Sequence, residues 1–179
     1  MSTFNLRGLT WVGNSGGAAN PDILDDPNFL EANSQSFVQG DLVYIASGAV
    51  TEWGLSASTA IAGIALTDAT NTTSSDNVAI KILKIKETDI FEASLDDAVS
   101  AITMLGDFHY LKTTSAGVWV VDGDEVTNER VKIIGFVYQP EVDTSGNMQM
   151  MAMGDTDPRV LIKFLNVSAA QQGPLLQLD

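Results

Sequence analysis

The chain carries one histidine, His109, within Phe108-His109-Tyr110-Leu111. An imidazole acts as a general base when a nucleophile and an orienting carboxylate flank it. The sequence has no GxSxG motif or equivalent, so His109 reads as a structural or surface residue on a strand. The next candidates are carboxylates: Asp122, Asp124 and Glu125 in VDGDEV, and Asp155 and Asp157 in GDTDP. Oxygen-rich loops can hold calcium, but neither segment has the spacing of the twelve-residue calcium loop, and the glycine of the first falls at the wrong place. These acids read as solvated turn residues. Gly13, Gly16 and Gly17 in GNSGG lack the lysine and the strand–turn–helix setting of a phosphate-binding loop. Lys81, Lys84 and Lys86 line one strand without the aromatic partners of a nucleic-acid groove. No catalytic, cofactor or metal residue is expected.

Two groups of large side chains remain. Met148, Met150, Met151 and Met153 suit an adaptable core or a pliable subunit contact. Among the tryptophans, Trp119 sits mid-strand in GVWVVD and suits a core, whereas Trp11 sits in a stretch without regular period. A tryptophan with no local core is a natural interface anchor.

The bulk composition agrees with the thin chemistry. Of 179 residues, 45% are hydrophobic, enough for one core at this length. Nine basic against 23 acidic residues give a net charge of −14, which disfavours nucleic acid and anionic membrane surfaces. Yet only 18% of residues are charged, below the roughly 25% of ordinary soluble domains. An acidic but charge-poor surface suits a protein that is meant to be covered. Cysteine is absent, which removes disulfides and thiolate chemistry. No secretory leader is apparent, and no run approaches the ~18 apolar residues of a membrane span. A protein made in a cytoplasm and not embedded in a membrane is expected.

The elements that must carry these residues read as strands. Residues 1–36 contain the breakers Gly16-Gly17, Asn20-Pro21 and Asp26-Pro27 and predict an irregular N-terminal arm. From Phe37 onward, Leu42–Ala46 and Ala49–Trp53 flank Ser47-Gly48 as a hairpin. Ala60–Leu66 reads as a buried strand whose Gly63 marks a bulge or a close backbone approach. Thr67–Asn77 is a polar loop. In Val78–Lys86, Ile80 and Ile82 are apolar in one phase, Leu83 and Ile85 in the other. Such a change requires a bulge, or passage from one sheet or interface to another.

The period then changes. Leu95, Ala98, Val99, Ile102 and Leu105 follow helical spacing, with Ser94 and Asp97 as a capping-box-like start and Gly106 as a stop. One short helix over about 95–105 is expected. Strands resume at Phe108–Lys112, Val118–Val121, Val131–Tyr138, Met148–Met153 and Val160–Leu165, with two-sided apolar character from Ile133. The expected fold is mainly β: an antiparallel barrel or sandwich over 37–165, one helix, the arm over 1–36 and a tail over 166–179.

Several of these segments together resemble tailed-phage capsid decoration, or cement, proteins. They are GDLVYIASGAV (Gly40–Val50), AIAGIALTDA (Ala60–Ala69), DIFEA (Asp89–Ala93), AITMLG (Ala101–Gly106), VWVVD (Val118–Asp122), RVKIIGFV (Arg130–Val137) and the terminal VLIKFL (Val160–Leu165). The resemblance spans roughly Phe37–Leu165; the arm and tail match nothing in it. It implies a non-enzymatic virion protein on the outer capsid surface, bound to the major capsid protein, forming a homotrimer and stabilising the expanded shell. In that setting, Phe4, Leu6, Leu9, Trp11 and Val12 would dock on a capsid or neighbouring trimer, an arm adding a strand or an anchor to its partner. Ile82, Leu83, Ile134, Phe136 and Tyr138 would contribute to contacts between protomers. A β-rich receptor- or glycan-binding module of a phage fibre or surface appendage is the alternative; an exposed aromatic platform would favour it. An enzyme built on the acidic loops is a third reading.

Overall fold

A computed structural model describes residues 5–17, 20–54, 59–73, 76–96, 104–124, 129–137, 140–142, 148–150 and 158–165, with backbone alone at residues 5, 140–142 and 148–150. Its strands are β1 (Asn5–Leu6), β2 (Leu9–Asn14), β3 (Ile23–Leu24), β4 (Leu42–Ala46), β5 (Ala49–Glu52), β6 (Gly63–Ala65) and β7 (Ile82–Lys84). They continue with β8 (Asp89–Leu95), β9 (Phe108–Thr113), β10 (Trp119–Asp122), β11 (Val131–Phe136), β12 (Pro140–Val142), β13 (Met148–Met150) and β14 (Arg159–Phe164).

The mainly β expectation holds. A seven-stranded sheet runs β1-β2-β8-β10-β9-β11-β14, and β14 returns to pair with β8. Strands β8, β10, β9, β11 and β14 therefore close a five-stranded barrel, which leaves those strands no free edge. The closure depends on the seven-residue β8. One of its edges carries β2 along Asp89–Glu92 and then β10 along Ser94–Leu95, while β14 takes the other edge. The β8–β10 pair is parallel. A second sheet, β3-β7-β6-β4-β5, is antiparallel throughout, and β12 and β13 form a separate hairpin.

Period-2 alternation fills the barrel. Phe91, Ala93 and Leu95 of β8 point inward with Val160, Ile162 and Phe164 of β14. The Phe91 and Phe164 rings meet edge-on, centroids 5.3 Å apart, the geometry favoured by their quadrupoles. The second sheet is covered on both faces. Leu42, Ile64 and Leu83 join the barrel-side core with Trp53, Ile61 and Ile85. On the opposite face Val43, Val50, Ala65 and Ile82 pack with Leu24, Phe37 and Ile80. The apolar phase change around Ile82-Leu83 is thus a passage between two cores of one chain. It involves no bulge: alternation is strict, and what changes is which face is covered.

Local chemistry explains the turns. Ser47 and Gly48 have φ of 50° and 80°, as a two-residue turn between twisted strands requires. Gly63 is the close approach expected of it, since a Cβ there would lie 2.3 Å from the Leu83 carbonyl oxygen. Along β11, the register against β14 shifts between Ile133 and Gly135. That bulge accounts for the two-sided apolar reading, with Ile133 inward, Ile134 in the bulge, and Phe136 again against the core.

Three expectations are corrected. The irregular N-terminal arm is instead part of the sheet. Strands β1 and β2 form a hairpin on β8, and Leu6, Leu9 and Trp11 are buried in the main core. Their spacing fits no single period because the two-residue turn Arg7-Gly8 places Leu6 and Leu9 directly opposite each other. The boundary at residue 36 has no counterpart either. Residues 29–32 link the β5 edge of the second sheet to the run that leads into β7, Ile80 donating to Phe29, Glu31 to Val78 and Ala32 to Val50. The expected helix over 95–105 is wrong at its start. Ser94 and Leu95 are strand, paired on both edges, and Leu95 continues the inward alternation of β8. Residues 97–103 lie outside the described residues, as does the tail over 166–179; Gly106, φ +94°, does end a turn.

Candidate functional site

The residues proposed for interfaces have different fates. Leu6, Leu9 and Trp11 are buried between β8 and the second sheet's side of the core, and Ile82 and Leu83 are fully buried in the two clusters. None of these five is available to another molecule, because folding within the protomer already consumes their apolar surface. Val12, outward on β2, is exposed; Ile134 and Phe136 are half-buried. Phe4 and Tyr138 lie outside the described residues.

His109 faces the barrel interior opposite Val131 and is buried, with neither ring nitrogen hydrogen-bonded among the described residues. It has no hydrogen-bonded nucleophile or carboxylate, so nothing here forms a catalytic relay. Asp122 of the first acidic loop pairs with Lys112 at 2.8 Å, and Asp96 pairs with the same lysine. Hydrogen bonds that Lys112 donates to Asp122 and then to Asp96 raise the Lys112 pKa. Asp122 Oδ1 also accepts from the Asp124 backbone at 3.2 Å, the turn role expected of it. Glu125, Asp155, Asp157, Met151 and Met153 lie outside the described residues, and of Met148 and Met150 only the backbone is described. Among the described residues no cluster of three or more His, Asp or Glu side chains could hold a metal ion. Lys81, Lys84 and Lys86 are engaged by Asp25 and Asp22. Hydrogen bonding from Lys86 leads the effects that lower the Asp22 pKa.

Two buried carboxylates are structural. Glu31 accepts from the Thr70 backbone at 2.7 Å and from its hydroxyl, pinning the polar loop. Asp89 accepts from Asn14 at 2.7 Å and from the Lys86 backbone at 2.9 Å, fixing β2 to the β7–β8 turn.

The most elaborate constellation lies where the two sheets meet. Arg7, φ 51°, occupies the β1–β2 turn, and its carbonyl accepts from the Trp119 backbone N–H at 2.7 Å. Its guanidinium pairs with Asp41, whose Oδ2 accepts from the Val38 N–H at 2.9 Å. The arginine passes between two glycines. A Cβ at Gly40 would lie 2.5 Å from Arg7 Cγ, and one at Gly117 would lie 1.7 Å from Nη2. Trp119 donates its indole N–H to the Gly40 carbonyl at 3.1 Å, and Trp53 donates to Thr59 at 3.2 Å. The two indoles stand 6.2 Å apart, tilted by 42°. Arg130 lies over the Trp53 ring at 5.7 Å, and burial lowers its pKa. Arg7, Asp41, Glu52, Trp53, Gly54, Thr113, Gly117 and Trp119 enclose a cavity of about 290 Å³.

This cavity was not anticipated from sequence. The signal for its first member was the segment Asn5-Leu6-Arg7-Gly8-Leu9, a two-residue hairpin turn ending in glycine. No sequence signal brings Arg7, Glu52 and Thr113 together, because three separate hairpins meet there. No family model matches the chain, and neither a curated protein nor a solved structure matches it.

Proposed function

We propose that this chain is a structural virion protein, a capsid decoration protein that binds the outside of an expanded phage shell and stabilises it. The observation that carries the reading is the resemblance over Phe37–Leu165, in particular GDLVYIASGAV and AIAGIALTDA. These two segments contribute β4, β5 and β6 of the second sheet.

The surface is compatible with being covered. Leu105 and Phe108 are 47% and 40% exposed. They flank β11 near Ile134: Gly106 donates to the Ile133 carbonyl, and Phe108 lies opposite Lys132. With Val12, these replace the buried residues as contact candidates. The mechanism is multivalent clamping. A weak contact between one protomer and the shell, repeated by a homotrimer, gains ~10²–10⁴ in avidity when the geometry matches. The reading involves no catalytic step and no cofactor. The acidic surface keeps the subunit soluble before docking.

Sedimentation equilibrium tests the assembly half of this reading. A mass of three chains at micromolar concentration is expected, and a monomer across that range would count against it.

A further inference from the structure

The nine basic residues of this acidic chain are not used alike. Arg7, Lys81, Lys84, Lys86, Lys112 and Arg159 pair with carboxylates, and Arg130 lies over Trp53. Lys132 and Lys163 remain. Both point outward from the barrel, since their chain neighbours Val131, Ile133, Ile162 and Phe164 point inward. They stand directly opposite each other in the β11–β14 register. Lys132 extends over the Phe108 ring, 5.3 Å from its centroid, and Lys163 donates to the Ser15 hydroxyl at 3.0 Å. Among the described residues neither lysine has a carboxylate at ion-pair distance.

Like charges directly opposite on a sheet oppose folding, so this pair is a cost within the protomer. The chain nevertheless has acids to spare, 23 against nine bases. Asp76, Glu87, Asp107 and Glu129 are exposed and form no ion pair among the described residues. Beside the lysines the surface is apolar: Phe108 and Leu105 are exposed, and Ile134 is half-buried. Two copies at −14 repel each other over most of their surfaces. The lysine face is the exception among the described residues, because its cations have no counter-charge of their own and its apolar groups gain from burial. We propose that the outer face of β9, β11 and β14 at Phe108, Lys132 and Lys163 docks the acidic surface of a second copy of this chain. Two such faces meeting each other would set lysine against lysine. The contact is therefore heterologous, basic face on acidic face, and closes a ring as three copies require. Docking of this kind rests on the homotrimer of the reading above and not on its binding to a shell.

The experiment compares full-length Lys163→Glu, Phe108→Ser and Lys81→Glu with the parent by analytical ultracentrifugation, from micromolar to millimolar concentration. Lys163→Glu and Lys81→Glu each replace one positive charge by one negative, so general repulsion between copies rises equally in both. Lys81 pairs with Asp25, beside the second sheet. Lys163→Glu sets a carboxylate opposite Lys132, a favourable cross-strand pair, so this variant keeps the circular dichroism of the parent. The parent forms a three-chain species. Lys163→Glu and Phe108→Ser each raise its dissociation constant at least about fivefold, and Lys81→Glu leaves it near the parent value. A parent that stays monomeric throughout overturns both this docking and the trimer. A three-chain parent from which all three variants depart equally, or none departs, overturns the docking face alone and leaves the trimer standing.

Discussion

Arg7 and Asp41, 34 positions apart, form an ion pair that fastens the first hairpin turn to the entrance of β4. The pair joins the barrel's extended sheet to the second sheet, and the Trp119 backbone completes the junction by donating to the Arg7 carbonyl. Glycine at positions 40 and 117 is a steric condition of this arrangement.

Gly117→Ala tests that condition. The new Cβ sits at φ +73° and 1.7 Å from Arg7 Nη2, so it strains the backbone and displaces the guanidinium. A loss of about 2 kcal/mol is expected. Gly48→Ala serves as control, since its φ is +80° but nothing lies within 4 Å; it should cost only about 1 kcal/mol. Urea unfolding measures both, and equal losses would show that Arg7 does not depend on the notch.

Trp11→Ala tests whether the N-terminal hairpin belongs to the core. Trp11 is 4% exposed, so truncation should cost about 3 kcal/mol or more. Deleting residues 1–14 should prevent cooperative folding, because β8 loses a partner along Asp89–Glu92. A detachable arm would leave the melting temperature unchanged in both variants.

Gly63→Ala should destabilise by about 2–3 kcal/mol through overpacking, because the added carbon meets the Leu83 carbonyl at 2.3 Å. Thermal unfolding decides; a neutral effect would mean that β6 and β7 are not in this register.

Asp22→Asn gives a pH-dependent effect of predictable sign. Lysine partners hold the folded pKa of Asp22 below 3.8, so its contribution is present above that value and is lost as pH falls through the folded pKa. The side chain is 40% exposed, and solvent screening limits the effect to about 0.5 kcal/mol. Parent and variant should therefore differ at pH 7 and converge as pH falls through the lowered folded-state pKa of Asp22; a constant difference would contradict the ion pairs with Lys84 and Lys86.

What could be read from sequence was local. Ser47-Gly48 announces its hairpin through turn chemistry, and the alternation of Val160, Ile162 and Phe164 announces β14. The phase change at Ile82-Leu83 correctly marked a strand serving two buried surfaces, but not that both lie within one chain. Trp11 was misread because its burial comes from β8, some 80 residues away, and no local pattern reports a partner that distant. Leu95 was misread because helical spacing and strand alternation both assign it an apolar position. The cavity was illegible for a third reason: its polar rim residues belong to separate hairpins.

Co-sedimentation with empty tailed-phage heads tests the central claim most directly. The decoration reading predicts saturable binding to expanded heads, little binding to unexpanded ones, and a higher disruption temperature for the decorated shell. Absence of binding to expanded heads, or binding that leaves their disruption temperature unchanged, would contradict it.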